Sequence, residues 1–155
     1  MSNKFITLAT VTDKGKRHWS ITVEVDKCAD QQVACFRVWP AMRVNSRIQP
    51  IGSARCIVEE SNKAKLDDFR IDHKYQNKGI GSKLLTEIEK WAVSTSIKYL
   101  YGDLLRIDSD RFPMLRHLYT KHHWTWHLFG KGDRRPNSDS KIAGIVKKII
   151  SLENL

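Results

Sequence analysis

The chain has no run approaching ~18 consecutive apolar residues, the length that crosses a bilayer, so no membrane span is expected. Its opening stretch, MSNKFITLATVTDKGK, lacks the apolar core and small-residue cleavage site of a secretory signal, and the expected location is the cytoplasm. Cysteine is scarce. Cys28, Cys35 and Cys56 form an odd set without a C-x-x-C pair, which argues against a disulfide framework or a zinc knuckle and reads as free thiols in a reducing compartment. His122, His123 and His127 crowd together in KHHWTWH, but a metal centre draws on a specific cluster with Asp, Glu or Cys partners, and no metal site is expected. No helix–turn–helix or RNA-recognition signature, internal repeat or low-complexity segment occurs.

What is present fits one globular domain. A chain of 155 residues, 41% hydrophobic and 28% charged, is long enough to bury a real core. Acidic residues are outnumbered, 17 Asp and Glu against 27 Lys and Arg, for a formal net charge of +10. Such an excess suits either a solvated basic face or a polyanionic partner such as nucleic acid, anionic lipid or a phosphate-bearing cofactor. The basic residues are spread through DKGKR, NKAK, GKGDRR and VKK, with no long basic tail.

The first 60 residues read as strands. WSITVEVD alternates, with Trp19, Ile21, Val23 and Val25 on one face and Ser20, Thr22, Glu24 and Asp26 on the other, a half-buried strand. VACFRVW resumes as a strand that Pro40 ends, residues 40–52 read as a loop, and RCIVEE and KLDDFRI flank a hairpin connection at SNKA. The period then changes. Ile80, Leu84, Leu85, Ile88, Trp91 and Ala92 fall at helical spacing. KYLYGDLL reads as a buried strand, RFPMLRHLYTKHH as a second helix with Asp110 as N-cap and Pro113 in its first turn, and WTWHLF as a strand. GKGDRRPNSDS reads as a loop and KIAGIVKKIISL as a C-terminal amphipathic helix. Strand, helix and strand between Leu66 and Leu105 make a parallel crossover, so the expected fold is α/β: a single-domain mixed, largely antiparallel sheet flanked by helices.

The segment that carries chemistry is YQNKGIGSKLL, at a strand-to-helix junction. The first turn of a helix leaves N–H groups without partners, and its dipole adds positive charge there. Gly79 and Gly81 would let a diphosphate approach those amides, with Lys78 beside it. Leu84 stands where the third glycine of a dinucleotide-binding G-x-G-x-x-G would be, and no G-x-x-x-x-G-K-[ST] phosphate loop occurs. By itself G-x-G also fits a tight turn before a helix.

Taken whole, LDDFRIDHKYQNKGIGSKLL resembles the central motif of the GCN5-related N-acetyltransferases, an apolar strand ending in V-x-P followed by Q/R-x-x-G-x-G/A opening a helix. Ile71 stands at the valine, Gln76, Gly79 and Gly81 match, and His73 replaces the proline. HLYTKHHW resembles a later element of that family, L-Y-x-K-x-G-F, through Leu118, Tyr119 and Lys121, with His123 and Trp124 in place of Gly-Phe. The family often has Asn seven residues before this tyrosine; Phe112 stands there, so no such contact carries over. The resemblance spans about Leu66 to Trp126, and the usual pair of helices after the first strand is not visible.

The resemblance implies an acyl-CoA N-acyltransferase fold and direct transfer of acetyl from acetyl-coenzyme A to a primary amine. It implies a diphosphate seat at Gln76, Asn77, Lys78, Gly79, Ile80, Gly81 and Ser82, and pairing of the pantetheine arm with backbone groups of Arg70 and Ile71. Tyr119 would protonate the leaving thiolate. LDDF resembles the strand of diamine and polyamine acetyltransferases whose acids face the acceptor amine, which makes Asp67, ahead of Asp68, the group expected to meet the acceptor. Alternation would send these two carboxylates to opposite faces, Asp67 with Phe69 and Ile71 and Asp68 with Leu66 and Arg70. Asp103 is a third acid across the cleft.

The whole chain, 1–155, is then one domain: 1–65 form the N-terminal strands and acceptor side, 66–130 the cofactor-binding core, and 131–155 a C-terminal loop and helix. The expected partners are a small-molecule or peptide amine, in a monomer or homodimer, without a membrane. An aminoacyl-tRNA acceptor, or a non-catalytic nucleic-acid-binding module of the same fold, is the alternative that the net charge leaves open.

Overall fold

Alternation of apolar and polar residues builds the front of the molecule as a meander. The computed structural model describes residues 4–12, 18–28, 31–40, 49–60, 62–130 and 141–150. Strands β1 (Lys4–Thr12), β2 (His18–Cys28), β3 (Gln31–Pro40), β4 (Gly52–Glu60) and β5 (Lys63–Ile71) each pair antiparallel with the one before. Helix α1 (Ile80–Ser94) then crosses over to β6 (Tyr99–Leu105), which runs parallel to β5. Helix α2 (Phe112–Lys121) leads to the short β7 (Thr125–Leu128), and β8 (Ile142–Ile149) inserts between β6 and β7, antiparallel to both. The sheet order is β1-β2-β3-β4-β5-β6-β8-β7. This is the mixed, largely antiparallel α/β sheet that the sequence predicts. Most of the loops expected at 40–52 and 130–140 lies outside the described residues, at 41–48 and 131–140.

The core lies between α1 and one face of the sheet. Ile80, Leu84, Leu85, Ile88, Trp91 and Ala92 are all buried, as their spacing predicts. They meet Ile21, Val23, Phe36, Val38, Ala54, Cys56, Ala64, Leu66 and Leu100 from the strands, with the Phe36 and Trp91 rings edge to face at 5.5 Å. Cys35 and Cys56 are free thiols, and burial pushes the Cys56 thiol well up.

The C-terminal segment departs from expectation. Residues 142–149 are a strand, not a helix. Ile142, Ile145, Val146, Ile149 and Ile150 satisfy a helical period, but pairing with β6 on one side and β7 on the other decides the matter. Gly144 explains itself there: a Cβ would fall 2.2 Å from the His127 carbonyl oxygen, so only glycine lets β7 lie this close. Asp110 is not an N-cap either. It belongs to a 3-10 turn, Arg106–Arg111, that runs straight into α2. Arg111 takes the cap position in a helical conformation with no side-chain cap bond, whereas a capping side chain works from an extended residue.

A buried ion pair fastens the two halves. Lys148 Nζ on β8 donates to Glu89 Oε1 on α1 at 2.9 Å, both side chains 7% exposed. Trp124 Nε1 donates to the same oxygen at 2.7 Å, and Lys148 also reaches the His122 carbonyl at 2.7 Å. Lys148→Met leaves a buried carboxylate without its cation, and the expected loss is about 3–5 kcal/mol in urea unfolding. The double variant Glu89→Gln/Lys148→Met removes both charges yet keeps an acceptor for Trp124, so it should regain most of that loss. Equal losses in the two proteins would show that the unpaired charge is not the cause.

Candidate active site

The site begins with an irregularity in β5. Across β4 the register runs Ser53 to Arg70 and Arg55 to Asp67, so Asp68 and Phe69 together oppose Ala54. Asp68 sits at φ 52, the left-handed region, as residues of β-bulges often do. The extra residue reverses the alternation. Ala64 and Leu66 face the helices before it, and Phe69 and Ile71 face them after it: Phe69 lies 6.1 Å from the Tyr119 ring and Ile71 beside Gly81. Asp67 and Asp68 therefore do not part to opposite faces as strict alternation predicts. Both reach Arg55 Nη2, at 2.6 and 3.4 Å.

The pairing of β5 with β6 is short and ends before the bulge, covering only Lys63–Tyr99, Ala64–Leu100 and Lys65–Tyr101. Beyond it the strands part around a cavity of about 630 Å³. Asp67, Asp68, Asp103 and Asp108 line it, with Lys65, Arg70 and Arg111. Lys65 Nζ bonds Asp103 Oδ2 at 2.9 Å, which raises the lysine pKa. A second cavity of about 370 Å³ lies on the helix side, against Asn77, Gly79, Gly81, Ser82 and α2. Phe69, Ile71, Gln76, Arg111 and Leu115 line both, so the two spaces meet at the break in the sheet.

The turn before α1 holds two left-handed residues, Asn77 at φ 63 and Gly79 at φ 86. Lys83 is the first residue of α1 whose N–H reaches back along the helix, to the Gly79 carbonyl at 3.1 Å. The amides of Ile80, Gly81 and Ser82 thus lack intrahelical partners, as in any first turn. Gly81 has an ordinary backbone conformation, and a Cβ there would make only normal contacts, 3.6 Å from Ile71 and 3.7 Å from Leu118. The fold does not need this glycine; its bareness keeps the helix-side cavity open. Gln76 turns its side chain inward, Nε2 donating to the Ile71 carbonyl at 2.9 Å. It fixes the strand end to the turn.

Tyr119 is buried, its ring among Phe69, Trp124 and Trp126, and it lines the larger cavity. Burial pushes its hydroxyl pKa well up, and the nearby Arg111 charge works against that push. Arg111 carries a buried Nε without a hydrogen-bond partner, while its Nη1 lies 3.9 Å from Asp108. Trp124 lies in the core against Glu89. Among the described residues no cluster of three His, Cys, Asp or Glu could hold a metal. Arg55, Lys65, Asp108 and Arg111 escaped sequence reasoning, which considered His122 only within a histidine cluster weighed as a metal centre. Alternation relates Lys65 to Asp67 and Asp103 on neighbouring strands, and Arg111 adjoins the family's asparagine position, but neither signal stands out without the fold.

The sheet with its parted parallel strands, and the glycine turn at the parting, define an acyl-CoA-type α/β fold. A model of the acetyltransferase (GNAT) family matches residues 11–124, most of the chain, and the chain belongs to that family of acyltransferases. Among solved structures, an acetyltransferase of the GNAT family from Staphylococcus aureus aligns with TM-score 0.58 and 16% identity over 77% of this chain and 69% of that one. The GNAT domain of S. lividans PAT aligns with TM-score 0.61 and 10% identity over 91% and 96%. Tetrahymena GCN5 aligns with TM-score 0.53 and 13% identity over 77% and 69%. At these identities the likeness concerns the fold. No curated protein sequence matches the chain.

His122 couples the turn to the buried ion pair. Its Nε2 lies 2.6 Å from Ser82 Oγ. Burial pushes its pKa below the ordinary 6.5, Lys148, Lys121 and His123 add to the drop, and Glu89 opposes it. The unfolded chain takes up a proton that the folded chain resists, so His122 lowers stability as pH falls below about 6.5 and costs nothing above it. The wild-type melting temperature should therefore drop between about pH 7 and pH 5, and His122→Asn, which retains a partner for Ser82, should lessen that drop. Identical pH slopes would show that His122 is not the group responsible.

Proposed function

We propose that the chain transfers an acetyl group from acetyl-coenzyme A to a primary amine, the donor lying in the helix-side cavity and the acceptor in the larger one. The observation that carries this reading is the meeting of two cavities at the break between β5 and β6. Acetyl-coenzyme A supplies an activated acyl carbon on a thioester sulfur.

The fit to that donor rests on the cradle a Cβ of Gly81 would fill and on the orphaned Arg111 Nε. The amides of Ile80, Gly81 and Ser82 would hold the diphosphate, with Asn77, Lys78 and Gly79 shaping the approach and Gln76 bracing it from behind. The edge of β5 at Arg70 and Ile71, where the Ile71 carbonyl also accepts from Gln76, would offer backbone groups to the amides of the pantetheine arm.

On the acceptor side the carboxylates favour an amine arriving as ammonium. Asp67 is held tightly by Arg55, whereas Asp68 is the looser partner and the more exposed, at 57% against 35%. Asp68 is thus the freer base, with Asp67 setting the Arg55 position. Tyr119 retains its proton in the buried site and is suited to give it to the thiolate.

Acetyl-coenzyme A should raise the melting temperature of the wild type, and Gly81→Glu, which puts a carboxylate into the cradle, should abolish the rise. No shift at saturating donor would sink the reading. A thiol-release screen against polyamines, peptides and charged tRNA identifies the acceptor. With it, Tyr119→Phe should slow turnover while leaving donor binding intact, and Asp68→Asn should cost more than Asp103→Asn. Unchanged turnover in Tyr119→Phe would remove its role as acid.

A further inference from the structure

Among the described residues, one charged side chain lines both cavities: Arg111. It ends the 3-10 turn and opens α2, whose proline-bearing first turn holds its backbone in place. Its guanidinium stays charged at any working pH and offers five donors. The contact to Asp108, at 3.9 Å, is too long for a charge-assisted hydrogen bond. Nε is buried without an acceptor. Buried donors are almost always satisfied, and one left over points to a partner that the protein does not itself provide.

We infer that Arg111 is a catalytic residue, its Nε–H donating to the carbonyl oxygen of the donor's acyl group. The inference rests on the transfer reading above. In that step the lone pair of the neutral amine forms the carbon–nitrogen bond. The carbonyl π pair moves to the oxygen that Arg111 holds. When that pair returns, the carbon–sulfur bond breaks and its electrons leave on sulfur. The arriving ammonium first gives one proton to Asp68, which releases it to solvent; after the carbon–nitrogen bond forms, the nitrogen's surplus proton passes to the same carboxylate, the sulfur takes the Tyr119 proton, and the tyrosinate recovers one from solvent. Charge gathers on oxygen only during this passage, so a fixed cation there lowers the barrier more than it strengthens binding.

The test needs no acceptor. Acetyl-coenzyme A carrying carbon-13 at the acetyl carbonyl is bound to the full chain and its carbonyl stretch read by isotope-edited infrared spectroscopy. The wild-type complex should show the band at lower frequency than free donor. In Arg111→Met, similar in length but without a donor, the band should return to the free position. Arg111→Lys, the second variant should methionine upset folding, should retain only part of the shift. Donor affinity by calorimetry should change only a few-fold, while acetyl transfer, once an acceptor is in hand, should fall about 10²–10³-fold. An undiminished band shift in Arg111→Met or Arg111→Lys with donor bound would assign the carbonyl to another group and overturn the inference, leaving the donor site intact. A wild type that binds no acetyl-coenzyme A would instead overturn the transfer reading, and the inference with it.

Discussion

Two residues of β5 stand opposite one residue of β4, and the site depends on that mismatch. Asp68 adopts a left-handed conformation that a non-glycine residue holds only at a cost of order 1–3 kcal/mol. The neighbouring ladder, with Ser53–Arg70 on one side and Arg55–Asp67 on the other, keeps it there. The ladder with β6 stops at Lys65, so the facing edges beyond it lack paired partners in the sheet. Such edge groups need partners, and a ligand rich in amides can supply them. The reversed alternation turns Phe69 and Ile71 toward the helices and leaves both carboxylates on Arg55. The bulge lies among the residues that line both cavities, Phe69 being one of them.

The buried pair of Glu89 and Lys148 does a second job. A salt bridge this deep offsets its own desolvation only with further hydrogen bonds, and Trp124 and the His122 carbonyl provide them. Three segments are thereby tied at one point: the middle of α1, the residues after α2, and β8. Ser82, on the first turn of α1, is joined to the same assembly through His122. The glycine turn is thus tied to the buried ion pair through Ser82 and His122 and to the end of β5 through Gln76.

The parts legible in the sequence were those where local pattern and long-range packing agree. The α1 stripe is one, because every residue of the helical stripe predicted in Ile80–Ala92 is buried. The glycine turn is another, because glycine at positive φ is a local demand. Where the two disagree, sequence reasoning failed. In β8 the inward positions are Gly144, Val146 and Lys148, and Ile149 is 73% exposed. An apolar residue faces out and a lysine faces in, since the lysine's partner lies 59 residues away on α1. That inversion hides the strand period and leaves the helical one. The Asp67–Asp68 pair misled for a similar reason: a bulge is a property of two strands, and one strand's alternation carries no mark of it. Arg111 was invisible because nothing local distinguishes an arginine that lines two cavities from one in solvent.

Tyr119 admits two descriptions, a packed core aromatic and a proton donor, and they are one arrangement. Its ring touches Phe69, Trp124 and Trp126, contacts that fix a side chain with only two torsions. Trp124 is itself pinned by Glu89, and Phe69 by the bulge. The burial that results raises the hydroxyl pKa, so the phenol has no tendency to ionise by itself. In the proposed transfer that reluctance is an advantage: the proton stays until a thiolate forms beside it. Arg111 moderates the effect, since its charge stabilises the tyrosinate left behind. In that proposal a cation at that spot would serve the oxygen early in the reaction and the phenolate late, and the packing that makes Tyr119 part of the core would set when it gives up its proton.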